Sequence, residues 1–128
     1  MHHPTRVGQR QTYFDHQEGA DAFGDLPEWD LSDLYTSTEA KEFKRDMDWL
    51  ESACSDFAKD YEGKMDGLDA AGMLEMVLRY EKIDMISGRI MSFAGLRYYQ
   101  NTTDAERAQF MANAQDKITT YTLSLIHI

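Results

Sequence analysis

The chain has 128 residues, of which 42% are hydrophobic and 28% charged, and its formal net charge is -10. That length predicts one domain, burying roughly two thirds of its unfolded surface. With 23 Asp and Glu against 13 Lys and Arg, it lacks the basic footprint that a phosphate backbone or an anionic membrane surface needs, so neither nucleic acid nor membrane is an expected partner.

Residues 1–25 show no sustained hydrophobic period and read as a flexible leader. The opening MHHPTRVGQR lacks the apolar core of a secretory signal. No uncharged run approaches the ~20 residues of a membrane span, and the single cysteine, Cys54, excludes an internal disulfide. A reduced, cytoplasmic setting is the default expectation. His2 and His3 are adjacent, so their side chains diverge, and no third ligand stands at a metal-binding spacing.

The stretch LPEWDLSDLY, Leu26 to Tyr35, changes the texture. Pro27 ends any preceding helix. Leu31, Leu34 and Tyr35 are spaced for one side of a short turn or helix, with Trp29 as an anchor. Asp30 and Asp33 read as turn-capping carboxylates rather than an acid–base pair.

TSTE, Thr36 to Glu39, has the form of a capping box and predicts a helix start. Behind it Phe43, Met47, Leu50, Cys54, Phe57 and Tyr61 recur at steps of four and three, one apolar stripe over about five turns. Cys54, inside that stripe, is expected to be a buried structural thiol. Gly63 is the stop signal.

A second helix is predicted from Leu68 or Asp69. Its apolar set is Met73, Leu74, Val77, Leu78, Ile83, Met85 and Ile86, then Ile90, Met91, Phe93, Ala94, Leu96, Tyr98 and Tyr99. Gly88 and Gly95 interrupt it, each costing about 1 kcal/mol relative to Ala, and close packing of another helix is the expected reason. The pattern fits one long helix or two separated by a bend. TDAE, Thr103 to Glu106, is a second capping box. It opens a helix whose buried stripe is Phe110, Met111, Ala114, Ile118 and Tyr121. No strand-like alternation appears, so the fold class is all-α, an antiparallel helical bundle. The 8 methionines, interspersed with Leu, Ile and Phe, read as core.

Residue chemistry alone shows no active site. None of His2, His3, His16 and His127 lies in an H-E-x-x-H context, the arrangement that places two zinc ligands one helical turn apart beside a general base. No G-x-S-x-G elbow and no glycine-rich phosphate loop is present.

Two stretches nevertheless carry a resemblance. LPEWDLSDLY, followed by YEKIDMISGRIMSFAGLRYYQNTTDAER from Tyr80 to Arg107, resembles the N-terminal region of oligoendopeptidase F, of the thimet-oligopeptidase-like zinc metallopeptidases. The likeness spans about Leu26 to Thr122. Its most specific parts are the Trp-Asp-Leu-x-Asp-Leu-Tyr element, Gly88-Arg89 ahead of Ser92-Phe93-Ala94, and Thr102-Thr103-Asp104. It departs at Thr36 and Asn101, where relatives commonly carry Pro and Asp.

The resemblance implies a larger, mostly helical peptidase of which residues 26–122 are the N-terminal helical region. In that family helical lobes enclose a channel where zinc activates water against short peptide substrates. The zinc and catalytic positions lie in the family's C-terminal part, and none has a counterpart here. No catalytic, cofactor-binding or metal residue is therefore assigned, and this chain alone is expected to bind no zinc and to cleave nothing. Helices shaped to pack against other lobes would leave apolar stripes exposed and favour association. The alternative is a stand-alone helical binding or scaffolding module without catalysis.

The last residues, LSLIHI from Leu123 to Ile128, continue the apolar stripe through Leu125 and Ile128. They contain no Gly, Asn, Lys or Arg to end a helix. They also resemble the in-frame translation of a transposase-adapter end used in sequencing libraries, so residues 123–128 are expected to be an adapter-derived tail.

Overall fold

The computed structural model describes residues 27–126. The leader, His2, His3, His16 and His127 fall outside this range, as does any helix that Pro27 would end.

The described chain is all-α. It begins with one turn in which the amides of Leu34 and Tyr35 donate to the Leu31 carbonyl at 3.0 and 3.3 Å. Tyr35 is buried, and Leu31 and Leu34 pack against the core beside it. Trp29 does not anchor the turn with its ring, which is 61% exposed. Its contribution is a backbone carbonyl, which accepts from Gln100 Nε2 at 2.6 Å.

Helix α1 spans Lys41–Tyr61. It starts later than the capping box predicts: Ala40 is the N-cap, with no side-chain cap. Burial decides this boundary. Tyr35 and Ala40 are both in the core, and the Ala40 amide closes a turn onto the Ser37 carbonyl at 3.3 Å. The exposed Thr36 and Glu39 are thereby held short of the helix. The predicted stripe is the buried side: Phe43, Met47, Leu50, Cys54, Phe57 and Tyr61. Gly63 follows with φ +69°, the left-handed conformation that glycine adopts without Cβ strain just past a helix end.

A short 3-10 turn, Met65–Gly67, leads to α2, Ala70–Gln100. Asp69 caps it, accepting the Gly72 amide at 2.8 Å. Gly72 has a steric role there, since a Cβ would meet Asp69 Oδ1 and Leu68 Cδ2 at 3.2 Å. Neither Gly88 nor Gly95 breaks the helix, which is continuous through its 31 residues. Among the described residues no other helix comes within 4 Å of a Cβ built at these glycines. A Cβ on Gly88 would meet nothing within 4 Å, and one on Gly95 would meet only Tyr99 of the same helix, at 4.0 Å.

Helix α3 spans Ala105–Ile126. It opens where predicted, but Asp104 does the capping: its Oδ1 accepts the Glu106 amide at 2.9 Å. Thr103 is turned back, its amide and hydroxyl both donating to Asn101 Oδ1. Its stripe is shallower than expected. Ala114 is buried, whereas Phe110, Met111, Ile118, Tyr121 and Leu125 are partly buried against the core.

The three helices pack in antiparallel succession. Phe43 near the start of α1 meets Phe93 late in α2, at 6.0 Å between ring centres. Phe110 near the start of α3 lies 5.2 Å from Phe43 and 6.0 Å from Phe93. Further along the bundle Leu50, Cys54 and Ile90 are the largest of the fully buried side chains. Of the methionines, Met47, Met76, Met91 and Met111 serve the core, but Met73 and Met85 are exposed. Among the described residues no helix is long and apolar enough to cross a membrane.

Candidate functional site

The polar centre of the fold is a knot of Tyr35, Asp46 and Arg89 beneath the N-terminal turn. Asp46 sits one position before Met47 on α1, and its side chain is only 8% exposed. Tyr35 reaches it from the turn, its hydroxyl donating to Asp46 Oδ2 at 2.7 Å. Arg89 reaches it from α2, with Nη1 3.5 Å from the same oxygen. The other guanidinium nitrogen, Nη2, donates to the Leu34 carbonyl at 2.6 Å. The guanidinium carbon lies 4.5 Å from the centre of the Tyr35 ring, and that ring stands edge-on to Phe43 and Phe93 at 5.2 and 5.3 Å. Arg45 Nη2, on the outer side, is 3.5 Å from Asp46 Oδ1.

A buried carboxylate needs such donors, because an unpaired one is strongly destabilising. Burial, and then the hydrogen bond to Asp46, push the Tyr35 hydroxyl well above its ordinary value. Tyr35 therefore keeps its proton at neutral pH and donates it in this hydrogen bond. The knot is an architectural device that joins turn, α1 and α2.

A second polar cluster closes the end of α2. Arg107 Nη1 donates to the Arg97 carbonyl at 2.9 Å and to Gln100 Oε1 at 3.0 Å. Arg97 Nη2 is 3.7 Å from Glu106. Arg97 Nη1 is buried with no hydrogen-bond partner among the described residues, and its guanidinium lies 5.5 Å from the Phe110 ring centre, where the ring face supplies the compensation. A shallow cleft of about 210 Å³, lined by Trp29, Asp30, Arg97, Gln100 and Arg107 among others, lies over it.

The residues singled out in sequence occupy quieter places. Asp30 Oδ1 accepts the Ser32 amide at 3.0 Å, which holds this exposed carboxyl below the usual carboxylate range. Asp33 is exposed and stands apart from it as a turn residue. Cys54 is buried, and desolvation pushes its thiol up, away from the thiolate that nucleophilic chemistry requires. Among the described residues no group of three or more His, Cys, Asp or Glu is placed to hold a metal ion.

Sequence reasoning missed Asp46 altogether and met Arg89 only as part of a motif, without a role. A signal existed for Asp46, which stands three residues after Phe43 and so shares the buried side of α1. For Arg89 there was none in its own segment, since its partners are 43 and 55 residues away. Compared with family models, with curated proteins and with solved structures, the chain matches none of them.

Proposed function

We propose that the chain is the N-terminal helical region of an oligoendopeptidase F-like zinc metallopeptidase, a hydrolase of short peptides, and that its part there is to wall the substrate channel. The observation that carries the proposal is where the two resembling stretches lie. Leu34 and Tyr35 of the first are joined to Arg89 and Phe93 of the second by a hydrogen bond and by ring packing. Residues from separate parts of the resemblance thus form one unit, as a shared architecture requires. A further support is α2, which carries apolar residues on several sides, the pattern of a helix flanked by more than one neighbour.

The described residues do not fit zinc. The histidines lie outside the described range, and the buried carboxylate of Asp46 is occupied by Tyr35 and Arg89. No catalytic step is assigned to this chain. A cytoplasmic setting belongs to the same proposal, and the lone, buried Cys54 supports it.

The test has two arms. Purified chain, with or without added zinc, is expected to leave a short quenched peptide intact. The source gene, read through the Thr122 codon, is expected to encode H-E-x-x-H downstream. Zinc-dependent cleavage by this chain alone, or a genuine stop codon directly after Ile128, overturns the proposal. The stop codon would favour the second reading, a self-sufficient helical binding module, for which the outward apolar stripe of α2 is the supporting observation.

A further inference from the structure

Helix α2 has an outward sector that neither α1 nor α3 covers. Ala71, Leu74, Leu78 and Met85 fall within one sector of a helix by their spacing, and Leu74, Leu78 and Met85 are 60%, 55% and 63% exposed. The packed side of the same helix uses Ile83, Ile90, Phe93 and Ala94. Along the sector runs a shallow groove of about 370 Å³, lined by Ala71, Leu74, Glu75, Leu78, Arg79 and Lys82.

The charges beside this groove are unequal in their commitments. Arg79 is held by Asp60 at 2.8 Å. Glu75 and Lys82 have no ion-pair partner among the described residues. Lys82 Nζ rests 4.7 Å from the centre of the Trp49 ring, which holds the cation in place without neutralising it.

We propose that a second copy of the chain docks on this sector, α2 against α2 and antiparallel, about a two-fold axis at Leu78. The order of residues carries the choice of partner. Ala71 and Met85 stand seven residues before and after Leu78. Reversing the helix therefore sets small Ala71 opposite the partner's Met85, a long, adaptable side chain. Glu75 and Lys82 lie on one flank of the stripe and are centred within a residue of Leu78. Antiparallel pairing brings that flank against itself, so Glu75 meets the partner's Lys82. The two-fold then repeats the pair. On that flank the sector is charge-complementary to its own reversed copy.

The contact spans about four turns of one helix, less than the roughly 800 Å² per partner of a standard interface. The dimer is accordingly a reversible one. This inference concerns the 128-residue chain by itself and rests on the surface of α2, the same surface that the peptidase proposal gives to further neighbours.

The test is sedimentation equilibrium of the full chain, with circular dichroism of each variant as a control. Over about 1 to 200 µM, a range that brackets micromolar affinity, the mass is expected to rise from one chain to two and stop there. Leu78→Glu places a carboxylate at the axis against its own copy and is expected to weaken association at least about tenfold. Lys82→Glu is expected to weaken it as well, and Glu75→Lys added to Lys82→Glu to restore it. If Leu78→Glu loses helicity, the exchange of charges decides alone. A monomer at every concentration overturns the proposal. So does growth beyond two chains, association indifferent to Leu78→Glu in a folded variant, or a double exchange that fails to restore the dimer.

Discussion

Helices α1 and α2 are both rich in apolar residues, yet they dispose of them in opposite ways. Every apolar residue of the α1 stripe, from Phe43 to Tyr61, is buried, Trp49, Ala53 and Ala58 beside it are half-buried, and the other positions are charged or polar. In α2 the apolar residues are divided. Ile83, Ile90, Phe93 and Ala94 enter the core, while Met73, Leu74, Val77, Leu78, Tyr80, Met85 and Tyr99 stay exposed. A one-sided helix is complete with the neighbours it has here. A helix apolar on several sides has a surface whose burial these three helices do not provide.

Substitutions sharpen that contrast. Leu50→Ala, at a fully buried site of α1, is expected to cost about 3 kcal/mol or more, from lost transfer energy plus the cavity left behind. Leu78→Ala, the same chemical change on the outward side of α2, is expected to cost about 0.5 kcal/mol or less when measured in the monomer. Urea unfolding at low protein concentration compares the two. Equal losses would erase the distinction between the helices.

The next effect concerns pH, through the knot that joins α1 to α2. Burial and Asp46 hold the Tyr35 hydroxyl above its ordinary value, so the native state keeps that proton longer than the unfolded chain does. Its contribution is complete below about pH 10 and is lost as pH rises beyond it toward the folded-state value. Tyr121 is raised too, by burial and then by Glu51 and Asp48, but it is more exposed and contributes less. Melting temperature is expected to fall as pH rises above about 10 in the unsubstituted chain. Tyr35→Phe should flatten part of that fall while lowering stability at neutral pH by about 1 kcal/mol. An unchanged alkaline slope in Tyr35→Phe would remove the knot from the explanation.

The smallest effect has the opposite sign. Gly88 lies in the exposed middle of α2, with open space where a Cβ would go. Gly88→Ala is expected to stabilise the monomer by about 0.5–1 kcal/mol, the helix-propensity difference. Destabilisation would mean that another element does pack closely at that glycine, as the sequence suggests.

These particulars also show what was legible beforehand. The α1 stripe was readable to the residue because its period marks one side only. The set predicted for α2 mixed core residues with outward ones such as Leu74 and Met85, because spacing alone cannot choose between two apolar sides. At the helix starts, capping-box patterns located the right neighbourhood and the wrong residue. Burial of Tyr35 and Ala40 moved the first start, and a competing turn at Asn101 took Thr103 from the second. The resemblance pointed to Arg89 within a motif, but nothing local showed that it would hold the carbonyl of Leu34.

That carbonyl has a kinetic consequence. The N-terminal turn is fastened to α2 by Arg89 and Gln100 across sequence separations of 55 and 71 residues. Closing loops of that length is slow compared with forming a helical hairpin. During folding, the α1–α2 pair can therefore assemble before the turn has anywhere to dock. On unfolding the reverse order is expected, with the turn letting go first. A protease working near Pro27–Tyr35 would consequently report local opening of this latch well before the bundle itself unravels.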